Sequence, residues 1–594
     1  MSHHPGIRAI EQVLDLHREG HGAGFMTGRS LYDFDQDDHK IRPVFELLRR
    51  ELYAEHKLAL ITYSLANGLN WFESGIASKA DRMTIQSALE GSGLLAVKKN
   101  EREVISTLRA ITQLLRSKYE LKWADGNPMH FAVCIEFAEH ALPCAQNGGF
   151  SDEQLMVIEL IHIFSHSLVL RESGNIFLLH GKIESVDPLA AAGLKEIHLA
   201  QPSKSEKLEF VTSAMELYDQ AKFEEGLTIE GIAALTADTP NRGIENRIRA
   251  SHRTGSVITV KEIVEQKNRD VQQMSEGTLM TLDTRRVSGV HLVGRNIETA
   301  QRIFQKLGRS LLEGNPATPS SILVPGAPAT GKTDLVHTAI INAQCAAYQM
   351  VSPKAGVVGE TERRSRLQQR VLGDLNPGIV FCDEVTEILP LERGGFDGDS
   401  GASKNVSAEL LIGLSDESRR GRSLFIGATN RVWAIGAAML SRFVVLPVIS
   451  ALREDYPAII VSTARRITTE CQIDSNDSTI LEAANVFYSK GANPRHIRSA
   501  LINALLISET RVLDGESVLL AAHDLCSTTD RASSEYADLQ AIRYCTSKSF
   551  LPWNGDEGYD FPDYLRGIVD ETSGDINESE LGRRIRELEP HVNV

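Results

Sequence analysis

The sequence predicts an α/β protein, with a parallel sheet covered by helices and followed by a helical lid, preceded by a second α/β unit of similar order. Three observations carry that prediction. Short apolar runs (Leu58–Tyr63, His130–Ile135, Ser321–Pro325 and Gly378–Cys382) alternate with longer segments of helical period. Residues 452–528 read as helical throughout. A glycine-rich loop joins Ser321–Pro325 directly to a helix-compatible run. At 594 residues the chain needs more than one core, since single cores stop growing at about 250–300 residues.

Taken in order, residues 1–40 are rich in Gly, His and Asp and read as a flexible N-terminal arm. Helical spacing over Ile41–Tyr53 precedes the strand Leu58–Tyr63, with more helix to about Leu121. His130–Ile135 reads as a buried strand running into Glu136 and Glu139. A long apolar helix follows from Asp152 to about Arg171, then short strands at Asn175–His180 and Glu196–Ala200. Together these outline an α/β domain over 41–205 and a helical, lid-like region with a polar linker over 206–283. The second α/β unit spans 289–450, its helical lid 451–528, and a C-terminal extension around Phe550-Leu-Pro-Trp553 spans 529–594.

Composition is that of an ordinary globular chain, 42% hydrophobic and 24% charged. The net charge of −16 counts against a broad nucleic-acid-binding face. No apolar window reaches the length of a membrane span; Leu155–Leu170 comes nearest and is broken by Glu159, His162 and His166. Seven cysteines lie scattered without a Cys-x-x-Cys pair, and the start of the chain has no apolar signal core. A cytoplasmic protein without disulfides or zinc is expected. His162-x-x-x-His166 lacks the glutamate of a zinc-protease helix, residue 163 being Ile, and reads as a packed core pair.

The glycine-rich loop is Gly326, Ala327, Pro328, Ala329, Thr330, Gly331, Lys332 and Thr333, with Asp334 opening the helix. This is G-x-x-x-x-G-K-[ST] in strand–loop–helix context. Glycines let the backbone close around phosphates with its N–H groups inward, and the helix N-terminus adds positive potential. Lys332 is placed to reach the β- and γ-phosphates of ATP, and the Thr333 hydroxyl to ligate Mg²⁺. Gly378–Cys382 ends in Asp383 and Glu384, and parallel strands converge their carboxyl ends on a ligand crevice. Asp383 is expected to hold Mg²⁺ and Glu384 to polarise the attacking water. Ser423-Leu-Phe-Ile-Gly-Ala-Thr-Asn430 ends in an amide able to orient that water.

In this order the motifs resemble the AAA+ superfamily of P-loop NTPases over roughly 289–528. They are the phosphate loop, Gly359-Glu-Thr-Glu362, Asp383-Glu384, Gly427-Ala-Thr-Asn430, Met439-Leu-Ser-Arg442-Phe443 and Gly491-Ala-Asn-Pro-Arg495. The resemblance implies that Asn430 is sensor 1, Arg442 an arginine finger aimed at a neighbouring subunit, and Arg495 sensor 2 on the lid. It also implies ATP and Mg²⁺ as cofactors and a homo-oligomeric ring, most often a hexamer. Two departures stand out. Val357 occupies the position where unfoldases of this superfamily carry a pore aromatic, and Met439 occupies that of a second arginine.

The N-terminal half repeats the element order in degraded form. Leu58–Tyr63 is followed by Ser64-Leu-Ala-Asn-Gly68-Leu69 without Gly-Lys-Thr, and the strand reaching Glu136 stands where the carboxylate strand belongs. It resembles a degenerate AAA-like module that binds no nucleotide; an unrelated α/β or mostly helical adaptor domain is the alternative. Three functions follow for the whole chain: ATP-driven remodelling of an unknown protein client, a slow ATP-dependent assembly switch, or nucleic-acid remodelling. The acidic charge disfavours the last, and Val357 leans toward the switch.

Overall fold

The structure is a computed structural model. It describes residues 5–592 apart from 20, 38–39, 72–77, 98–103, 117–121, 143–149, 283–291, 344–345, 352–359, 376–377, 388–409, 411–412, 469–470, 508–511, 527–530 and 557. The chain divides into an N-terminal unit, Met1–Val271 with Lys354–Arg370, and a C-terminal unit, Gln272–Pro353 with Val371–Val594.

In the N-terminal unit α1 (Pro5–Arg18) leads into β1 (Ala23–Gly28), followed by β2 (Leu58–Ser64), β3 (Gly68–Asn70), β4 (His130–Glu136), β5 (Ile176–His180) and β6 (Lys195–Leu199). The sheet order is β3-β2-β4-β5-β1-β6, parallel except for the β2–β3 edge pair. β2 and β5 are buried along their whole length, as expected where helices cover both faces. Four helices follow: α2 (Lys204–Leu217), α3 (Ile229–Thr236), α4 (Asn241–Thr254) and α5 (Val260–Met274). A short parallel pair, Lys222–Phe223 with Val257–Ile258, ties them together. The start of α2 is fixed by a reciprocal cap between Ser203 and Glu206.

The C-terminal unit contains β7 (Leu279–Thr281), α6 (Arg295–Leu312), β8 (Ser321–Pro325), α7 (Lys332–Ala343), β9 (Ala346–Met350), β10 (Gly378–Cys382), β11 (Ser423–Thr429) and β12 (Val444–Val445). Its order, β7-β9-β10-β11-β8-β12, is again parallel except for one antiparallel edge pair, β7 with β9. The lid helices are α8 (Tyr456–Ile467), α9 (Ser478–Ser489), α10 (Pro494–Ile507) and α11 (Gly515–Asp524), joined by a parallel pair, Cys471–Gln472 with Leu513–Asp514. Beyond them lie α12 (Arg531–Arg543) and α13 (Glu578–Leu588). Trp553, Tyr559, Phe561, Leu565 and Ile585 form a small core of their own with Ile449 and Leu452.

Several expectations are corrected. The described part of the expected N-terminal arm is not loose: β1 lies inside the sheet, between β5 and β6, and Phe25 and Met26 are buried. The strand that stands in the sheet where β8 stands in its own is therefore β1, not Leu58–Tyr63, and the residues that follow it are Arg29-Ser-Leu-Tyr. The run from Asp152 to Arg171 is two helices, Asp152–Ser165 and Leu168–Ser173. The His162 and His166 rings lie tilted with centroids 4.5 Å apart, but His166 is exposed, so the pair sits at the surface rather than in the core. The linker near Asp283 and the segment carrying Val357 and Gly359 lie outside the described residues.

Candidate nucleotide site

β8, β10 and β11 lie side by side, and each ends in a residue singled out from the sequence. After Pro325 the backbone turns sharply at Gly326, where a Cβ would lie 1.9 Å from the Val448 carbonyl oxygen, so only glycine fits. Ala329 and Gly331 both adopt positive φ (61° and 88°), winding the loop into the first turn of α7. Thr330 closes the loop by donating to the Ala327 carbonyl at 3.1 Å.

Lys332 is almost fully buried and reaches across the sheet end. Its Nζ donates to the Gly326 and Ala327 carbonyls (3.0 and 2.7 Å) and to Asn430 Oδ1 (2.7 Å). Burial pulls its ammonium down to about 8, against the opposing pull of Glu384, Asp538 and Asp383. The Asn430 amide in turn donates to Glu384 Oε1. Glu384 adopts φ 49°, a left-handed conformation that costs a non-glycine residue about 1–2 kcal/mol and recurs at functional sites. The lysine, the amide and the carboxylate thus form one chain of contacts. Beside it, the Thr333 hydroxyl donates to Asp383 Oδ2 at 3.1 Å. This pairing suits a hard cation that takes one or two protein oxygens and completes its shell with water and phosphate.

A cavity of about 500 Å³ opens against the loop, lined by Pro328, Ala329, Thr330, Gly331 and Asp334 on one side and by Tyr456, Arg466 and Asn493 of the lid on another. Asp334 pairs with Arg466 at 3.0 Å, joining the loop helix to lid helix α8. Arg495, at the start of α10, is exposed and its charge is felt at Lys332. Arg442 stands apart. Its exposed guanidinium donates to Ser415 Oγ (2.5 Å) and to the Ala438 carbonyl, and it lines a different cavity with Arg302, Lys306 and Arg420. Asp538 and Arg466 also reach the cavity against the loop and carry no motif in the sequence; Tyr564 shows there only as part of the aromatic cluster with Trp553, Tyr559 and Phe561.

A glycine-rich loop between a central parallel strand and a helix, with an Asp-Glu pair ending a neighbouring strand, defines a P-loop NTPase site. Residues 322–449 match the model of the ATPase family associated with various cellular activities (AAA). This segment is a domain of the AAA+ ATPase superfamily. Protein CdcH of Halobacterium salinarum is 28% identical over 212 residues, 35% of this chain and 25% of that protein. Spastin of Sus scrofa and of Homo sapiens are each 32% identical over 146 residues, 24% of this chain and 23% of theirs. The chain thus spans about a quarter of the length of these relatives.

Proposed function

We propose that the C-terminal unit binds and hydrolyses ATP with Mg²⁺, and that the protein works as a homo-oligomeric ring, most simply a hexamer, remodelling a protein partner. The carrying observation is the contact chain Lys332–Asn430–Glu384 beside Thr333–Asp383. The loop amides and Lys332 would hold the β- and γ-phosphates, Glu384 would take a proton from the attacking water, and Asn430 would hold that carboxylate in line. Bound Mg²⁺, held through Thr333 and Asp383, supplies charge neutralisation on the phosphates. Arg442, exposed and lining a cavity other than the one at the loop, is suited to reach a neighbour's γ-phosphate, where such a guanidinium is worth about 10³–10⁵ in rate.

The N-terminal unit is proposed to be a degenerate module of the same kind. The order of its five parallel strands matches that of the C-terminal unit, though the antiparallel edge strand comes after β2 here and before β8 there, and four helices with a parallel two-stranded tie follow in both. Where the C-terminal unit has Asp383 and then Glu384 at positive φ, this unit has Glu136 and then Phe137 at φ 55°. Where the phosphate loop would begin, Arg29 is buried and pairs with Asp33 (2.7 Å) and Asp35 (2.8 Å). Asp33 also accepts from the Asn241 and Arg242 amides at the start of α4 (3.0 and 2.9 Å). On this reading, these side chains would take the place a nucleotide needs, and the unit would bind none.

A slow assembly switch without threading is the second reading, favoured by Val357 in the sequence. Both readings predict that Glu384→Gln keeps ATP binding, lowers phosphate release at least about 100-fold and traps an ATP-dependent oligomer seen by light scattering. A variant that stays monomeric with ATP would remove the ring and the role given to Arg442. Val357→Asp separates the two, abolishing remodelling by a motor and sparing a switch.

No helix among the described residues is long and apolar enough to cross a membrane. A cytoplasmic location is proposed on the scattered cysteines alone, those among the described residues being free thiols.

A further inference from the structure

Asp538 lies on α12, outside both the sheet and the lid, yet its carboxylate is buried against the phosphate loop. Oδ1 accepts from the Ala327 amide at 3.4 Å. Oδ2 accepts from the Ser450 amide at 3.1 Å and from the Tyr564 hydroxyl at 3.0 Å. One acid therefore ties together the first residue after Gly326, the chain leaving β12 toward the lid, and the C-terminal extension. Its negative charge also acts on Lys332. A second anchor runs parallel to the first: the Tyr559 hydroxyl donates to Asn296 Oδ1 at 2.6 Å on α6, and Asn296 itself donates to the Ser450 carbonyl. The cavity against the loop is walled on this side by Asp538 and Tyr564.

A buried carboxylate is costly to keep unless its lone pairs are satisfied, and here burial pushes Asp538 up to about 6 while hydrogen bonds from Ser450, Tyr564 and Ala327 hold it down. Three backbone and side-chain donors converging on one acid from three separate segments is more than packing alone requires. The Ala327 N–H faces Asp538 Oδ1 at 3.4 Å, so the loop's first peptide is in contact with the extension.

We propose that Asp538 is a positioning residue for ATP binding, and that the C-terminal extension completes the nucleotide pocket by fixing the opening of the phosphate loop through Ala327. This rests on the reading of Lys332 and its loop as an ATP site. The extension then acts as a condition on nucleotide affinity: whatever undocks it loosens the loop without touching Glu384 or Asn430.

The test is steady-state ATP hydrolysis and titration with a ribose-labelled fluorescent ATP analogue, on the full chain and its Asp538→Ala, Asp538→Asn and Tyr564→Phe variants, with circular dichroism as the check on folding. Loss of a hydrogen-bonded charged acceptor predicts that Asp538→Ala raises KM and Kd about 10-fold with kcat changed less than about 2-fold. Asp538→Asn, which keeps one carbonyl acceptor, should recover part of the affinity. Tyr564→Phe, which removes only a hydroxyl, should raise KM about 3-fold. Unchanged KM in folded Asp538→Ala, or a fall in kcat at constant KM, overturns the proposal. If Asp538→Ala does not fold, an unchanged KM in Tyr564→Phe overturns it. Failure of the unaltered chain to bind the analogue would instead sink the ATP site itself.

Discussion

Lys332 and Arg29 each follow a strand held between the last two neighbours of its sheet, and they meet opposite partners. Lys332 is surrounded by carbonyl and amide oxygens, which a phosphate can displace. Arg29 is neutralised by two buried carboxylates, and the Phe34 carbonyl takes a further donor at 2.6 Å. Breaking a buried pair by removing one partner costs about 3–5 kcal/mol, because the other charge stays buried. Asp35 still pairs Arg29 in Asp33→Ala, so that variant is expected to destabilise the N-terminal unit by less, about 1–3 kcal/mol, read as faster hydrogen exchange in α4, whose first amides lose their acceptor. Unchanged exchange there would mean Asp33 holds nothing. Nearby, Lys207 is fully buried and burial drives its amine down to about 7. The folded chain favours the neutral amine, so between about pH 7 and the ordinary lysine range the unfolded chain binds more protons and stability rises with pH. Lys207→Met should flatten that rise in denaturant titrations of the chain.

At the scale of elements, the phosphate loop was legible because it is contiguous and its residue types are dictated by chemistry. Gly326 shows this most sharply, and Gly326→Ala, which would drive a methyl into the Val448 carbonyl, should cost at least about 1–3 kcal/mol and abolish ATP binding. A melting temperature and affinity equal to those of the unaltered chain would contradict the tightness of that turn. β10 and β11 were equally legible, being apolar runs ending in polar residues. β1 was not. Ala23-Gly-Phe-Met-Thr-Gly carries two glycines and no β-branched aliphatic residue, so Phe25 and Thr27 give only a weak strand signal, and its place in the sheet reveals it. Asp538 was invisible for another reason. It lies on a mixed helix about 200 residues downstream of the loop it touches, and long-range pairing leaves no local pattern.

For the whole molecule, the two units share the order of their five parallel strands but divide the work proposed for them. On that proposal the C-terminal unit supplies the phosphate-binding and water-activating groups, while Arg29, Asp33 and Phe137 stand at the corresponding strand ends of the other. The proposal then calls for one ATP per protomer, each ring site drawing Arg442 from a neighbour. Phosphate release from ATP by the purified full chain and by its Lys332→Ala variant tests this most directly. The account predicts steady release from the unaltered chain and a rate at the buffer background for the variant. Equal rates from both would contradict it.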